Sequence, residues 1–192
     1  MEQCLKEITE ITPNLYLSSV AAISDANLHD KKINLIINAT KELPIFPTAD
    51  GGKQIHSVRI PVYDMVDETL YPYFKPVCDL IEANHENNGS TLIHCVAGRS
   101  RSATLTIAYL LWKSYQKEAP KGSKYKLYET LDSVQKKRTI VQPNMAFMGQ
   151  LVQWEDELKG QQSKKPKQIS DRTQEALNEV ASITQRIKSN VF

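Results

Sequence analysis

The residues of this chain whose types and spacing could do chemistry are gathered in Thr91-Leu92-Ile93-His94-Cys95-Val96-Ala97-Gly98-Arg99-Ser100-Arg101-Ser102. An apolar run ends in a cysteine, a short glycine-containing stretch follows, and a helical pattern then begins. Strand, loop, helix is an anion-binding geometry. Backbone N–H groups along Val96–Ser100 would converge on one point, and the dipole of the helix adds partial positive charge there. Gly98 lets the loop turn tightly. Arg101, six positions after Cys95, would stand at the first helical turn, where its planar guanidinium can reach two oxygens of one bound phosphate. A cysteine in such a nest is expected to rest as a thiolate, since helix amino termini and cationic neighbours bring thiols to roughly 3.5–7.5. A lone cysteine at the end of a core strand is usually inert packing; His, Cys, Gly, Arg and Ser at fixed spacing reverse that reading.

The stretch His94-Cys95-x5-Arg101-Ser102 is similar to the signature of the cysteine-dependent protein tyrosine phosphatase superfamily, and Ala97-Gly98-x-Ser100-Arg101-Ser102 resembles its dual-specificity branch. Tensin-homologue-type phosphoinositide phosphatases favour lysines inside the loop, and messenger-RNA-capping triphosphatases favour a second His and an Asn. Val96–Ser100 contains neither feature. The resemblance extends to Ile11-x-Pro13-x-Leu15-Tyr16-Leu17, to Ile37-Asn38-Ala39-Thr40 and to Arg138-x4-Pro143-Asn144-x2-Phe147-x2-Gln150-Leu151, so it spans residues 8–160. It implies an α/β fold with a central mixed, mostly parallel sheet flanked by helices. It also implies hydrolysis of phosphotyrosine and phosphoserine/phosphothreonine monoesters on proteins through a phosphocysteine, with no cofactor and no metal. Phosphorylated proteins, signalling kinases among them, would be the partners. With the core beginning by residue 8, the chain resembles a small, atypical branch member, expected to act without a rhodanese-like docking domain.

Hydrolysis through a phosphocysteine needs a proton donor for the leaving oxygen and then a base to activate water, and one carboxylate can do both in turn. Asp64, Asp67 and Glu68 in Ile60-Pro61-Val62-Tyr63-Asp64-Met65-Val66-Asp67-Glu68 are the candidates. In the family the acid follows the third strand after an Ile-Pro-like pair, about thirty residues before the cysteine. That resemblance selects Asp64, which lies 31 before Cys95, with Asp67 as runner-up. It further implies that Ser102 hydrogen-bonds the thiolate and eases its departure, and that His94 orders the loop and helps hold the cysteine's pKa down rather than transferring protons. Asn144 would brace the surroundings of the loop, and Arg99 would point sideways toward substrate. Two other functions stay open: a phosphatase for a non-protein substrate (an RNA 5′-phosphate, a phosphoinositide or a phosphoglycan), and a phosphate-binding pseudophosphatase scaffold. The presence of Cys95, Arg101, Ser102 and Asp64 together weighs against the scaffold.

The elements that must position these residues are legible in outline. Short apolar runs at Leu15–Leu17, Ile33–Asn38, Val58–Val62 and Thr91–Cys95 alternate with helical patterns, as in an α/β layer fold. Phe74, Val77, Cys78 and Ile81 mark one helix face; Ala103–Ser114, Leu127–Lys137 and Met145–Leu158 predict three more helices, and Ser24 can cap a short one. The chain is 192 residues long, 41% apolar and 24% charged, enough for one sizeable core, and no run approaches the ~18 apolar residues of a membrane span. Residues 161–192 hold six Lys/Arg against three Asp/Glu, which leaves residues 1–160 at a net −1. A near-neutral core argues against nucleic-acid binding.

These features predict a catalytic domain over residues 1–160 and a basic, partly helical or disordered tail over 161–192. In the tail, Leu177, Val180, Ile183, Ile187 and Val191 share a stripe that Asp171 could cap, a helix expected to fray unless it finds a partner. Lys117, Lys121, Lys124 and Lys126, with Lys136 and Lys137, could form a positive patch. Cys4, Cys78 and Cys95 fit neither a disulfide framework nor zinc spacing, the four histidines are scattered, and neither chain end carries an address. The expected location is a reducing one, cytoplasm and also nucleus.

Overall fold

In the computed structural model, which describes residues 2–44, 49–50, 53–116, 126–160 and 169–189, the apolar runs assemble into one five-stranded sheet. In chain order the elements are α1 (Glu2–Leu5), β1 (Thr9–Thr12), β2 (Leu15–Ser19), α2 (Asp25–Asp30), β3 (Ile33–Asn38), β4 (Ala49–Asp50), β5 (Lys53–Gln54), β6 (His56–Arg59), α3 (Phe74–Glu86), β7 (Ser90–Cys95), α4 (Arg101–Gln116), α5 (Lys126–Lys137), α6 (Met145–Leu158) and α7 (Asp171–Lys188). The sheet order is β1-β2-β7-β3-β6, with β4 and β5 pairing separately. Within the five-stranded sheet β1 and β2 pair antiparallel, while β2·β7, β7·β3 and β3·β6 are parallel, so that sheet is mixed and mostly parallel.

The central strand is β7, and all six of its residues are buried, the polar Ser90, Thr91 and His94 along with Leu92, Ile93 and Cys95, as befits a strand covered on both faces. Leu35, Ile37, Ile93 and Cys95 face the larger core beneath α3 to α7, while Tyr16, Ile36 and Leu92 join Leu28 of α2 in a smaller core on the opposite face. Register sets Cys95 opposite Ser19 of β2 and His94 opposite Asn38 of β3. The carboxyl ends of three parallel strands thus share one rim, the place where open α/β sheets offer a crevice.

One strand differs from its sequence reading. The third run pairs over His56–Arg59 rather than Val58–Val62. Pro61 has no N–H to give a ladder. Ile60 N still donates to Asn38 O at 2.8 Å, but Val62 N then turns back onto Ile60 O at 2.9 Å and the chain leaves the sheet. The three predicted helices after Cys95 form, α4 beginning two residues earlier than expected, at Arg101, and α6 starting directly after Asn144. Of the predicted lysine patch, Lys117, Lys121 and Lys124 lie outside the described residues. Lys126 is buried with its ammonium 4.1 Å from the centroid of the Tyr115 ring, and Lys136 pairs with Asp132 at 2.6 Å, so neither builds a free positive face.

The stripe in the tail has a partner. α7 packs on α3 and against β6, burying Ala176, Val180, Ile183 and Ile187. Its N-cap is Ser170, whose hydroxyl accepts from Thr173 N, instead of Asp171, which occupies the first turn. With Val180 fully buried, Val180→Ala removes two methyl groups from the core and is expected to cost about 1–3 kcal/mol. In urea unfolding the midpoint should fall with unchanged slope; an unmoved midpoint would mean that α7 carries no part of the stability.

Candidate active site

Cys95 is the last residue of β7, and the chain turns through Val96–Ser100 before α4 begins at Arg101. The turn closes on the sulfur. Gly98 N donates to Cys95 Sγ at 3.2 Å, and Ser102 Oγ lies 3.1 Å from it as a second donor, one turn into the helix. Gly98 has φ 63, and a Cβ there would stand 2.4 Å from the carbonyl carbon of Ser18, so both conformation and space demand glycine. The thiol is 1% exposed, Ser102 is fully buried, and the open side of the loop bears Val96 and Arg99. Donors aimed at the sulfur, at the positive end of a helix, stabilise negative charge on it or on an oxyanion beside it.

Arg101 is buried, with its guanidinium held on one side. Nη1 donates to Glu42 Oε1 at 2.7 Å and to Val62 O at 3.1 Å, whereas Nε is buried without a hydrogen-bond partner. Partial burial pushes the Glu42 carboxyl up, but hydrogen bonds from Arg101 and the backbone overcome it and hold the group below its ordinary value. A chain of local contacts presents Glu42. Thr40 Oγ1 donates to Asn38 Oδ1 at 2.7 Å and accepts from Leu43 N at 3.2 Å, and Leu43 O accepts from Arg59 Nη2 at 2.6 Å. Glu42 had no sequence signal of its own; the neighbouring Ile37-Asn38-Ala39-Thr40 stretch, which folds the turn beneath it, was the indirect one.

Asp64 reaches the same place from the other side. Its Oδ1 accepts from Ser100 Oγ at 2.7 Å and from Asn144 Nδ2 at 2.9 Å, and its Oδ2 lies 3.9 Å from Arg101 Nε. Asn144 also caps α6, accepting from Phe147 N at 2.9 Å. Asp67 and Glu68 stand in the exposed turn that follows, with the Glu68 carbonyl tied to Gln150 Nε2 at 3.0 Å. Of the three candidate carboxylates, Asp64 is therefore the one hydrogen-bonded to the loop. Asn144 braces the loop, its backbone N–H donating to Ser100 Oγ at 3.2 Å, and it also touches that carboxylate directly. Arg99 points sideways, its guanidinium donating to Gln142 Oε1 and its carbonyl accepting from Gln142 N at 2.8 Å.

Sequence reasoning gave no task to Arg138, yet it is the largest fully buried side chain. Nε donates to Gly98 O at 2.9 Å, Nη2 to Ala97 O at 3.3 Å, and Nη1 to Thr9 Oγ1 at 3.0 Å and to Glu7 O at 3.3 Å. One guanidinium thus fixes the underside of the loop to the start of the sheet, turning the loop's carbonyls away from its mouth. Around that mouth stand exposed apolar side chains, Tyr63, Met65, Val66, Val96 and Met145, and a cleft of about 330 Å³ between Asp64, Arg99, Gln142 and Asn144. The arrangement can bind a tetrahedral dianion against Cys95 with a carboxylate alongside.

Comparisons with known proteins find relatives of this chain in sequence and in fold. The family described as dual specificity phosphatase, catalytic domain, matches residues 15–157. Dual specificity protein phosphatase 14 of Mus musculus is 35% identical over 159 residues, covering 82% of this chain and 74% of its own. Human dual specificity protein phosphatase 21 is 36% identical over 154 residues, covering 78% and 73% respectively. Among solved structures, a mouse putative dual specificity phosphatase complexed with zinc tungstate superposes with a TM-score of 0.70 at 27% identity, over 81% of this chain and 90% of that one. Human DUSP28 gives 0.66 at 28%, over 79% and 95%.

His94, beside the nucleophile position, is 1% exposed. Burial is the main cause that pulls its pKa from 6.5 down to about 4, against an opposing pull from the Cys95 backbone and with a smaller push from Arg101. The folded protein therefore holds His94 neutral where the unfolded chain takes up a proton, and stability is lost as pH falls from 6.5 toward 4. Replacing His94 with Gln removes this term. The stability gap between wild type and His94→Gln should narrow by about 3 kcal/mol between pH 7 and pH 4; a gap that does not change with pH would contradict the burial of a neutral imidazole.

Proposed function

The chain belongs to the dual specificity phosphatase family, and from that membership we propose how it acts: as a cysteine-dependent protein phosphatase that hydrolyses phosphotyrosine and phosphoserine/phosphothreonine monoesters through a phosphocysteine at Cys95. Phosphorylated proteins are its substrates. Signalling kinases among them, and residence in the cytoplasm and nucleus, are the narrower form of the proposal, in keeping with three free cysteines. One observation carries the reading: Ser100, inside the loop that encircles the sulfur, donates at 2.7 Å to the carboxylate of Asp64, so nucleophile and acid are parts of one constellation.

The substrate phosphate lies in the loop, its oxygens facing the N–H groups of Val96, Ala97, Gly98, Arg99, Ser100 and Arg101. Nη1 of Arg101 is occupied by Glu42 and Val62, so its fork meets the phosphate through Nε, which makes no hydrogen bond, and Nη2. The Cys95 thiolate attacks phosphorus, the P–O bond breaks, and the leaving oxygen takes a proton from Asp64. Two donors already occupy Oδ1, so the proton rides on Oδ2. In the second half a water attacks the phosphocysteine and gives its proton to Asp64. The P–S bond breaks and inorganic phosphate forms. The departing thiolate is received by the hydroxyl of Ser102 and by Gly98 N.

The experiment is hydrolysis of an aryl phosphate and of paired phosphotyrosine and phosphothreonine peptides. Wild type should turn over all three, and Cys95→Ser none. Asp64→Asn should slow phenyl phosphate by about 10²–10³-fold and an activated nitroaryl phosphate far less, because only the poor leaving group needs the proton. Equal losses on both would refute the acid assignment. Aryl turnover with both peptides untouched would refute the protein-substrate reading.

A further inference from the structure

The segment that carries the acid has no sheet pairing of its own after Ile60, so what holds it matters. Its carbonyls are taken up in succession: Ile60 O accepts from Val62 N at 2.9 Å, Pro61 O from the guanidinium of Arg172, and Val62 O from Arg101 at 3.1 Å. Downstream, Gln150 grips the chain again, its Oε1 accepting from Leu70 N at 2.7 Å and from Tyr71 N at 3.0 Å. Between these anchors Tyr63–Asp67 is exposed. One of the upstream anchors, Arg172, comes from α7, a helix that lies beyond the stretch shared with the family at residues 15–157.

We propose that Arg172 is a positioning residue for the general acid, and that α7 serves as a strap which sets where Asp64 stands over Cys95. Rigidity reaches it from behind. Val180, Ile183 and Ile187 bury α7 against α3, and Asn87 Nδ2 donates to Ile187 O at 3.3 Å. From this base the Arg172 fork fixes the peptide plane of Pro61, three residues ahead of the carboxylate. Arg172 needs no contact with substrate to act. Proton transfer in the transition state is sensitive to placement on the scale of 1 Å, and freeing the Pro61 carbonyl loosens the upstream end of the acid segment while leaving the phosphate loop as it was.

The inference rests on Asp64 as the acid, and the test separates the two. Full-length wild type, Arg172→Ala, Arg172→Lys, Asp64→Asn and the Arg172→Ala/Asp64→Asn double variant are assayed on phenyl phosphate and dinitrophenyl phosphate. Arg172→Ala should lower kcat on phenyl phosphate about tenfold and change dinitrophenyl phosphate less than about twofold. Arg172→Lys, which restores a donor, should recover most of the loss. In the Asp64→Asn background, Arg172→Ala should add no further discrimination between the two esters. Equal losses on both esters, no loss on either, or no recovery with lysine would overturn the strap. An Asp64→Asn enzyme that loses both esters equally refutes the acid assignment, and the strap with it.

Discussion

At Gly98 three parts of the molecule meet with no room to spare. A Cβ at this position would stand 2.4 Å from the Ser18 carbonyl carbon and 2.7 Å from Arg138 Nη2, on a backbone with φ 63 that side chains avoid. Because the backbone fits there, the loop can double back until Gly98 N reaches the sulfur of Cys95, while its carbonyl points down to Arg138. Donors then face the mouth and acceptors face the buried guanidinium. Strand β2 must run beside β7 to supply the Ser18 wall, and Arg138 must come in from the far end of α5. The sheet order and the helical layer both serve this one close approach.

The second constraint is electrostatic. Glu42 and the Val62 carbonyl hold one side of the Arg101 guanidinium, and Ser100 and Asn144 hold one oxygen of Asp64. Each group is fixed by one edge and keeps a second, and these second edges, Arg101 Nε and Asp64 Oδ2, face each other at 3.9 Å. Charges arranged in this way before substrate arrives need little reorganisation during phosphoryl transfer, which is how preorganised sites lower barriers. His94 is kept neutral by burial and adds no positive charge of its own.

Much of this was legible in the sequence because the chemistry sits in one contiguous stretch. Strand β7, the loop and α4 run without interruption from Ser90 to Gln116, so spacing placed Cys95, Gly98 and Arg101, and the family resemblance added Ser102. Asp64 came from resemblance, since three nearby carboxylates shared the same local pattern and only the fold shows which one meets Ser100. Glu42 and Arg172 were silent, and Arg138 stood in a matching stretch without a task, because their partners are distant in sequence, 59 residues away for Glu42 and Arg101 and 111 for Arg172 and Pro61. An arginine whose acceptors are main-chain carbonyls leaves no complementary residue type to notice. The tail helix was visible as a stripe, but its partner α3 could not be read from periodicity, which gives a face and not what covers it.

The account turns on a covalent bond between phosphorus and Cys95 Sγ. Ser102→Ala, which removes a donor to the departing thiolate, should slow the second half-reaction and let that species accumulate. The direct measurement is acid quench of this variant during turnover of an aryl phosphate, followed by mass spectrometry of the peptide containing Cys95. A phosphoryl adduct on Cys95 that forms with the burst of aryl alcohol and decays as phosphate is released is the predicted result. Phosphate release with no adduct at any time, or an adduct on another residue, would contradict the central claim.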